Sequence, residues 1–279
     1  MSVASGSLTL VAPPGVPLLL SSLVHERIGI HFEADRWDVL LEKLEPVALS
    51  RHCASFLDLY YLLKYEEHGT EDWERVMDAL SVPETYFWRE MAQIHVCVNT
   101  IAPAWFARTS LPLRIWSAAC ATGEEAYSLA IALAEAGLDR HPIEILASDS
   151  SSMALEKARS GLFREKSFRA LPFTLREKYF LPEEGRWRIK PEIGGRVSFR
   201  RANLLAADEV DILARCPVVF CRNVFIYFSP HAIRQTLAIF ASRMPVGGHL
   251  FVGASESLLK LTADFELREF GDAFGYVRI

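Results

Sequence analysis

The sequence predicts an α/β fold in which a largely parallel sheet follows a small all-helical segment. Two patterns carry this prediction: apolar residues recur at three- and four-residue steps up to residue 80, whereas short apolar runs alternate with helices after residue 113. At the end of the chain the segments 265–270 and 274–279 lie one turn apart, so we expect an antiparallel hairpin. The 279 residues, 51% of them hydrophobic, suffice for one large core and a smaller satellite domain.

Residues 1–80 are predicted to form a helical N-terminal domain. Their apolar side chains fall on one face of successive helices, and almost no glycine interrupts them. Two such runs are Trp37, Leu40, Leu41, Leu44 and Phe56, Leu59, Tyr60, Leu63. Residues 81–112 are predicted to be a linker and a helix that begins at residue 86.

Residues 113–279 are predicted to form the α/β domain. Strands are expected at 113–119, 143–148, 218–221 and 249–253, and helices at 124–137, 151–160 and 230–244. The charged and turn-rich stretch 163–197 is too long for a plain connection, so we expect an inserted subdomain there.

Composition excludes several protein classes. The five cysteines are scattered and never spaced as CxxC, which predicts neither a disulfide framework nor a zinc site. The apolar stretch 8–24 contains three prolines and follows no basic residue, so it is a poor signal peptide. No stretch is typical of a membrane span, and we expect a cytoplasmic protein.

Charge is unevenly distributed along the chain. Residues 1–90 carry 7 basic against 15 acidic side chains, whereas residues 159–201 carry 12 basic against 5 acidic ones. The basic stretch is either a patch that attracts an acidic partner or a solvated surface that happens to be basic. Charge alone leaves both interpretations open.

The most informative window is 114–128, where an apolar strand passes through Thr122 and Gly123 into a helix. Backbone can approach a ligand closely at such a strand end. The window lacks the GxGxxG motif and a Walker lysine, so a dinucleotide or a nucleoside triphosphate is disfavoured as the ligand. The adjacent Glu124 and Glu125 suit a cationic ligand that carries an ammonium and a sulfonium. Alternatively, they only interact favourably with the helix dipole, and this is the preferred interpretation for Glu124.

Two further strands end in polar residues. Asp149 ends the second strand, where it would either accept hydrogen bonds from ribose hydroxyls or cap the next helix. The strand 218–221 ends in Arg222 and Asn223, with Tyr227 four residues further on, which presents polar groups at the ligand edge of the sheet. The structural alternatives are a simple turn at Asn223 and a core position for Tyr227.

These windows resemble the bacterial chemotaxis receptor methyltransferase family, commonly called CheR. The matching stretches occur in order at 84–90, 116–128, 147–149, 202–205, 221–228 and 251–257. The resemblance implies a class I S-adenosylmethionine-dependent methyltransferase fold with a helical N-terminal domain and an inserted small β-subdomain. It also implies methyl transfer from S-adenosyl-L-methionine to glutamate side chains of chemoreceptors, which gives glutamyl methyl esters and S-adenosyl-L-homocysteine.

The resemblance also assigns roles to individual residues. The residues implied to bind the cofactor are Thr85 and Arg89 at its methionine end, Glu125 at its amino group, Asp149 at its ribose, Asn203 and Leu204 at its adenine, and Arg222 and Asn223 at the pocket floor. Arg89 and Tyr227 are the implied catalytic residues, and Tyr227 would face the methyl group. No metal is implied.

The chain departs from the family pattern at two places. Pro83 stands where the family usually has Asn, so one polar cofactor contact is missing from the pattern. The N-terminal helices of studied members are basic where they meet the receptor, whereas Glu42 and Glu45 lie on either side of Lys43 in this chain. The basic stretch 159–201 would then serve for docking instead.

The implied chemistry needs no general base, because a glutamate carboxylate is already ionised at pH 7. Cytoplasmic domains of chemoreceptors are the expected partners of a monomeric enzyme that neither binds nucleic acid nor inserts into a membrane. The alternative function is a cofactor-binding sensor or scaffold of the same fold that acts on a non-receptor partner. A nucleic-acid substrate is disfavoured by the acidic first domain and by the missing base-flipping motif.

Overall fold

The computed structural model describes residues 10–65 and 69–279, so residues 1–9 and 66–68 of the predicted helical domain lie outside the described residues. The chain divides into two compact units. The helical unit contains the chain up to Val82 together with Tyr227–Ala232. The sheet unit contains Pro83–Ile226 and Ile233–Ile279.

The first helices of the chain are α1 Val16–Ile28, α2 Trp37–Ser50, α3 Phe56–Tyr65 and α4 Gly69–Leu80. Apolar side chains at the predicted spacing are fully buried in this unit, among them Leu20, Leu40, Leu44, Phe56 and Leu59. Burying one such side chain contributes about 1.5 to 3 kcal/mol. The prediction of an all-helical N-terminal part is confirmed.

A short segment from late in the chain completes the helical unit. The His31 N–H donates to the Tyr227 carbonyl at 2.9 Å, and Ile30 forms an antiparallel bridge with Phe228. Gly29 ends α1 with φ at 80°, and a Cβ on it would lie 3.1 Å from the Phe228 ring. Glycine is therefore required there both by the left-handed backbone and by the packing.

We expect the helical unit to lose stability as the pH falls below about 6.5. His25 lies 2.6 Å from the Ser229 hydroxyl and beside the rings of His31 and His231. Burial, assisted by these two histidines and opposed by Glu26, lowers the pKa of His25 below 6.5. The unfolded chain therefore takes up a proton first, so this stabilisation is complete above pH 6.5 and is lost as the pH falls through the folded-state pKa.

Thermal unfolding followed by circular dichroism between about pH 8 and pH 5 tests this expectation. The unfolding temperature of His25→Asn should vary less with pH than that of the parent protein. His52→Asn is the control, because His52 is exposed and has a positive φ that asparagine tolerates. An identical pH profile for the parent and His25→Asn would contradict the expectation.

The strands of the sheet unit are β1 Leu113–Ala118, β2 Ile143–Asp149, β3 Leu162–Phe163, β4 Phe180–Glu183, β5 Arg186–Ile189, β6 Val197–Arg201, β7 Val218–Phe220, β8 His249–Phe251, β9 Phe265–Phe270 and β10 Ala273–Arg278. Seven of them form one sheet in the order β6-β2-β1-β7-β8-β10-β9. The pairs from β6 to β8 are parallel, whereas β10 is antiparallel to β8 and β9. This confirms the predicted parallel sheet and terminal hairpin and adds the edge strand β6, which the sequence pattern did not reveal.

The remaining helices are α5 Met91–Val96, α6 Ala102–Phe106, α7 Glu124–Glu135, α8 Ser152–Ser160, α9 Phe173–Tyr179, α10 Pro191–Gly194, α11 Ala207–Val210 and α12 Pro230–Arg243. The helix expected from residue 86 begins only at Met91. Phe87 donates its N–H to the Ser167 carbonyl, and Trp88 donates its N–H to the Ser128 hydroxyl. Tertiary hydrogen bonds thus replace the first helical turn.

The predicted insertion contains a separate three-stranded sheet in the order β3-β5-β4. The β4–β5 hairpin turns at Glu184 and Gly185, whose φ values of 47° and 74° are typical of a tight hairpin turn. The Phe87 ring lies between 4.7 and 5.1 Å from three rings of this region, which belong to Phe163, Phe168 and Phe180. Segment 83–90 is thereby anchored to the sheet unit.

The core of the large sheet is apolar with few polar groups. Trp116 on β1 is fully buried, and its indole N–H donates to the Ser148 hydroxyl on β2 at 2.9 Å. Phe220 and Phe251 stack with ring centroids 4.9 Å apart. Within 10–65 and 69–279, no helix has the length and apolar character needed to span a membrane.

Candidate active site

The loop after β1 is strained and held in place from β2. Ala119 and Ala121 have φ values of 56° and 48°, and Gly123, at 93°, precedes α7. A Cβ on Gly123 would lie 3.0 Å from the Cβ of Ala158. Non-glycine residues with positive φ persist only where surrounding structure holds them, and such strain is common at ligand sites.

Asp149 holds the loop after β1 in place. Its Oδ2 accepts the Ala121 N–H and its Oδ1 accepts the Ser151 N–H, both at 2.9 Å, and the residue is buried. The cap of α8 is Ser151, whose hydroxyl accepts the Ala154 N–H at 3.0 Å. The interpretation of Asp149 as the helix cap is therefore wrong, and its carboxylate instead joins the carboxyl ends of β1 and β2.

Glu125 is part of a buried ion pair. Its Oε1 accepts a hydrogen bond from the Ser117 hydroxyl at 2.6 Å, and its Oε2 accepts one from Nε of Arg222 at 2.7 Å. The side chains of Glu125 and Arg222 are 13% and 2% exposed. The carboxylate is thus held rigidly at the start of α7, with its orientation set by β1 and by the residue after β7.

Arg222 uses its remaining donors on segment 83–90. Nη1 donates to the Glu90 carbonyl at 2.8 Å, and Nη2 donates to the Arg89 carbonyl at 2.9 Å. Nη1 also lies 3.3 Å from Oε1 of Gln93. A planar guanidinium can satisfy such divergent acceptors at once, whereas a lysine ammonium cannot. Arg222 therefore fixes the backbone from which the Arg89 side chain projects.

Two carboxylates that sequence reasoning missed complete the strand-end cluster. Glu90, with φ at 50°, accepts the Ala254 N–H at 3.1 Å and lies 3.4 Å from the Asn223 amide nitrogen. Glu256 accepts the N–H groups of Asn223 at 2.8 Å and of Gly253 at 2.6 Å. Both residues lie inside stretches that resemble the CheR family, 84–90 and 251–257, and this is the sequence signal that could have identified them.

Asn223 adopts a left-handed turn with φ at 60°, so the turn interpretation holds for its backbone. A Cβ on Gly253 would come within 2.5 Å of the Asn223 amide nitrogen, so the loops after β7 and β8 approach each other closely only because residue 253 is glycine. The Asn223 amide is thereby directed toward Glu90 rather than into solvent.

The loop after β6 lies beside the end of β2. Ala202 donates its N–H to the Asp149 carbonyl at 3.0 Å, which brings Asn203 and Leu204 next to the Asp149 turn. Both residues are buried. The Asn203 N–H is bonded to Glu209 at 2.9 Å, and the Asn203 side-chain oxygen accepts the Leu205 N–H at 3.1 Å.

Thr85 and Arg89 lie on segment 83–90. Arg89 donates to the Glu84 carbonyl at 3.1 Å, packs over the Tyr86 ring and lies 3.6 Å from Oε1 of Glu90. Thr85 is half-buried and lines a cleft of the sheet unit. The Arg89 side chain is 25% exposed and lies beside Glu90, at the edge of the strand-end cluster of carboxylates.

Tyr227 is 37% exposed, so the interpretation as a core residue is wrong. It belongs to the helical unit, through the bond from His31 to its carbonyl. Its chain neighbour Ile226 belongs to the sheet unit, where its N–H donates to Glu256 at 3.2 Å.

Glu124 has a different environment from Glu125. It is buried, and its carboxylate accepts hydrogen bonds from the hydroxyls of Thr122 at 2.7 Å and Ser167 at 3.0 Å. Burial raises the pKa of Glu124, and these hydrogen bonds oppose the rise. Glu124 therefore links the β1–α7 loop to the inserted region, a contact that the helix-dipole interpretation did not anticipate.

The buried cysteines are not reactive nucleophiles. Burial raises the pKa of Cys97 and of Cys216 to about 12. Burial also raises the pKa values of Cys120 and Cys221 well above 9.0, with nearby carboxylates adding to the effect. Such thiols stay protonated at neutral pH, so they take no part in covalent catalysis.

The hydrogen-bond acceptors at the strand ends fit S-adenosylmethionine. Asp149 ends β2, Glu125 follows β1 and Glu256 follows β8. The buried Arg222 balances part of the charge of these carboxylates. An acidic edge of this kind suits an ammonium and a sulfonium, and an acid at the end of the second strand suits ribose hydroxyls. It does not suit a phosphate.

The strand order with its antiparallel β10, together with this acidic strand-end cluster, defines a class I S-adenosylmethionine-dependent methyltransferase. The family described as "CheR methyltransferase, SAM binding domain" matches residues 83–273. The chain belongs to the CheR methyltransferase family. It binds S-adenosylmethionine as its cofactor and is a methyltransferase.

Similar proteins cover nearly the whole chain. "Chemotaxis protein methyltransferase 2" of Vibrio cholerae is 34% identical over 91% of this chain and 89% of its own length. "Chemotaxis protein methyltransferase 1" of Pseudomonas aeruginosa is 37% identical over 89% of this chain and 92% of its own. The solved magnesium protoporphyrin IX methyltransferase of Synechocystis is 15% identical over 80% of this chain and 93% of its own, with a TM-score of 0.35, a likeness on which no conclusion rests.

The structure brings most of the predicted residues to one edge of the sheet. Those placed by hydrogen bonds within this cluster or beside it are Arg89, Glu125, Asp149, Asn203, Leu204, Arg222 and Asn223. Thr85 lies on the same segment as Arg89, whereas Tyr227 belongs to the other unit. The individual roles of these residues in binding and catalysis stay predictions.

Proposed function

We propose that the protein transfers the methyl group of S-adenosylmethionine to glutamate side chains of chemoreceptors, which yields glutamyl methyl esters in chemotaxis adaptation. The observation that carries the proposal is the similarity, over about nine-tenths of the chain, to proteins named chemotaxis protein methyltransferase. The alternative of a sensor or scaffold without transfer activity is not favoured by these names. We also propose that the enzyme acts as a monomer in the cytoplasm.

The cofactor supplies a methyl group on a positively charged sulfur. Asp149 would accept hydrogen bonds from the ribose hydroxyls, and Glu125, oriented by Arg222 and Ser117, would accept one from the cofactor's ammonium. The loop with Asn203 and Leu204 would hold the adenine. Because Asp149 and Glu125 are already held by protein donors, little reorganisation is needed when the cofactor binds.

The reaction requires no proton transfer by the protein. An ionised glutamate carboxylate forms the O–CH₃ bond while the S–CH₃ bond breaks, and the bonding electron pair stays on sulfur. By resemblance to the family, Arg89 and Tyr227 are the residues expected to hold the carboxylate in line with the methyl group. Alignment and exclusion of water are the contributions expected of such residues.

The base lability of the product tests the reaction type. A glutamyl methyl ester releases methanol in mild base, whereas methyl groups on lysine, arginine or a nucleobase nitrogen are retained. Receptors isolated from cells with and without this protein, labelled with a radioactive methyl donor, should differ in base-labile label. A label that resists base would contradict the proposed reaction.

We expect Tyr227→Phe to lower kcat by about 10- to 100-fold while the affinity for S-adenosylhomocysteine stays unchanged. The substitution removes only the hydroxyl, and a hydrogen bond to the attacking carboxylate acts in the transition state. Single-turnover kinetics and titration calorimetry measure the two quantities. Tyr61→Phe, also exposed in the helical unit, is the matched control. Full activity in Tyr227→Phe would remove the hydroxyl from the mechanism.

A further inference from the structure

A cleft of 320 Å³ opens in the sheet unit between segment 83–90, the β1–α7 loop, α8 and the inserted region. Five cationic side chains line it: Lys157, Arg164, Lys166, Arg169 and Arg186. The acids in its lining are Glu84 and Glu124. Cations from separate elements therefore converge on one concave surface.

One of these five cations is in an ion pair. Arg169 pairs with Glu84 at 2.8 Å and packs 3.8 Å above the Tyr86 ring. Glu124 is buried and accepts its hydrogen bonds from hydroxyl groups. Among the described residues, none of the other four cations in the lining forms an ion pair within 4 Å.

Three other cations of the basic stretch pair with acids outside the cleft lining: Arg176 with Glu165, Lys178 with Glu135, and Arg188 with Glu183. Lys190 donates to the Lys178 carbonyl. Within the part of the chain that the structure describes, Arg164, Lys166 and Arg186 are therefore the cations of the inserted region that lack an ion pair and share the cleft.

The cleft adjoins the cofactor loop but has the opposite charge. Thr85 and Thr122 line it, and the residue before Thr122 is held by Asp149. Unpaired cations attract a chain that carries several carboxylates more strongly than a cofactor whose ammonium and sulfonium outweigh its single carboxylate. The cleft therefore suits the other reactant of a methyl transfer to glutamate.

The helical unit offers no comparable surface on α2. Asp38 and Glu42 are exposed there, and Lys43 donates its ammonium proton to the Ala79 carbonyl at 3.5 Å. Like charges repel an acidic partner from such a helix face. This contrast favours the cleft over α2 as the surface that an acidic substrate meets.

We propose that this cleft is the docking site for acidic residues that flank the methyl-accepting glutamate, an inference that rests on the proposed function for the identity of the partner. The cleft cations hold the flanking carboxylates, so the accepting side chain is presented beside the cofactor loop. Docking through exposed charges depends on ionic strength and raises the rate of capture more than the rate of chemistry.

Direct binding tests the proposal without relying on methylation. The probe is a fluorescein-labelled peptide of Glu-Glu-Ala-Ala repeats, with a Gln-Gln-Ala-Ala peptide as the neutral reference. In the full-length protein, Arg164→Gln with Arg186→Gln should raise the peptide Kd about tenfold, since each exposed charge pair contributes up to about 1 kcal/mol. The affinity for S-adenosylhomocysteine should not change.

Arg108→Gln with Arg140→Gln is the matched control. Both arginines are exposed and precede β1 and β2, at the amino ends of the strands, and their removal changes the net charge equally. This control should bind the peptide like the parent protein. Arg164→Glu with Arg186→Glu should weaken binding further, and added salt should reduce the difference between the parent and the cleft variant.

Two binding results would overturn the proposal. These are no measurable binding of the acidic peptide by the parent at low salt, and equal loss of peptide binding in the cleft and control variants. If the peptide binds as expected but no receptor gains a base-labile ester, the proposed function fails while the docking site stands. If esters form equally fast in the cleft variant at limiting substrate, the docking site fails while the function stands.

Discussion

Asp149→Ala is expected to weaken the binding of S-adenosylhomocysteine by at least about 100-fold. Two hydrogen bonds from ribose hydroxyls to a carboxylate contribute roughly 1.5 to 3 kcal/mol each. The same substitution removes the acceptors of the Ala121 and Ser151 N–H groups, which hold the strained loop after β1. Titration calorimetry on the folded variant measures the loss.

Ser151→Ala separates binding from local structure. It removes the cap of α8, which should lower the free energy of unfolding by about 0.5 to 2 kcal/mol, but it leaves the Asp149 carboxylate in place. The affinity of Ser151→Ala should therefore stay close to that of the parent. A folded Asp149→Ala protein with parental affinity would show that the carboxylate serves the loop alone.

Arg222→Met is expected to lower the free energy of unfolding of the sheet unit by about 3 to 5 kcal/mol. Methionine has a similar volume, so the loss comes from broken polar contacts rather than from a cavity. Glu125 would remain as a buried carboxylate without its ion-pair partner, and the Arg89 and Glu90 carbonyls would lose their donors. Urea denaturation followed by tryptophan fluorescence measures the change.

Arg243→Met is the control for Arg222→Met. Arg243 pairs with Asp211 at 2.6 Å, but its side chain is 42% exposed, and such surface pairs contribute at most about 1 kcal/mol. Arg222→Lys should restore little stability, because an ammonium cannot reach three divergent acceptors. Equal stability of Arg222→Met and Arg243→Met would contradict the structural role of the buried guanidinium.

The sheet and its helices were predictable because their signals are local. β1 shows nearly continuous burial, as a central parallel strand should, and Leu40 and Leu44 repeat at the helical period. β6 was missed because its burial alternates at an edge of the sheet and its sequence ends in arginines. The helix start at residue 86 was wrong because Phe87 and Trp88 bond to distant residues instead of to their own helix.

The strand-end residues were also predictable, since a polar residue directly after an apolar run marks the ligand edge of a parallel sheet. The residues that these side chains contact were not predictable. Glu90 and Glu256 are separated by 166 positions, yet both contact Asn223, through its side-chain amide and its backbone N–H. No pattern in a single sequence indicates such contacts, because hydrogen bonds between distant loops depend on the folded geometry of the chain.

The residue types at the strand ends can be read from the sequence alone, and with them come the expectations of a cationic cofactor, of an acid that binds ribose and of a basic insertion. Those properties follow from local composition and period. The folded chain alone shows that Ser151, not Asp149, caps α8, that Arg222 holds both Glu125 and segment 83–90, and that Arg164, Lys166 and Arg186 share one cleft. The physical reason is that hydrogen bonds and ion pairs depend on distances between residues far apart in the chain, and only folding sets those distances.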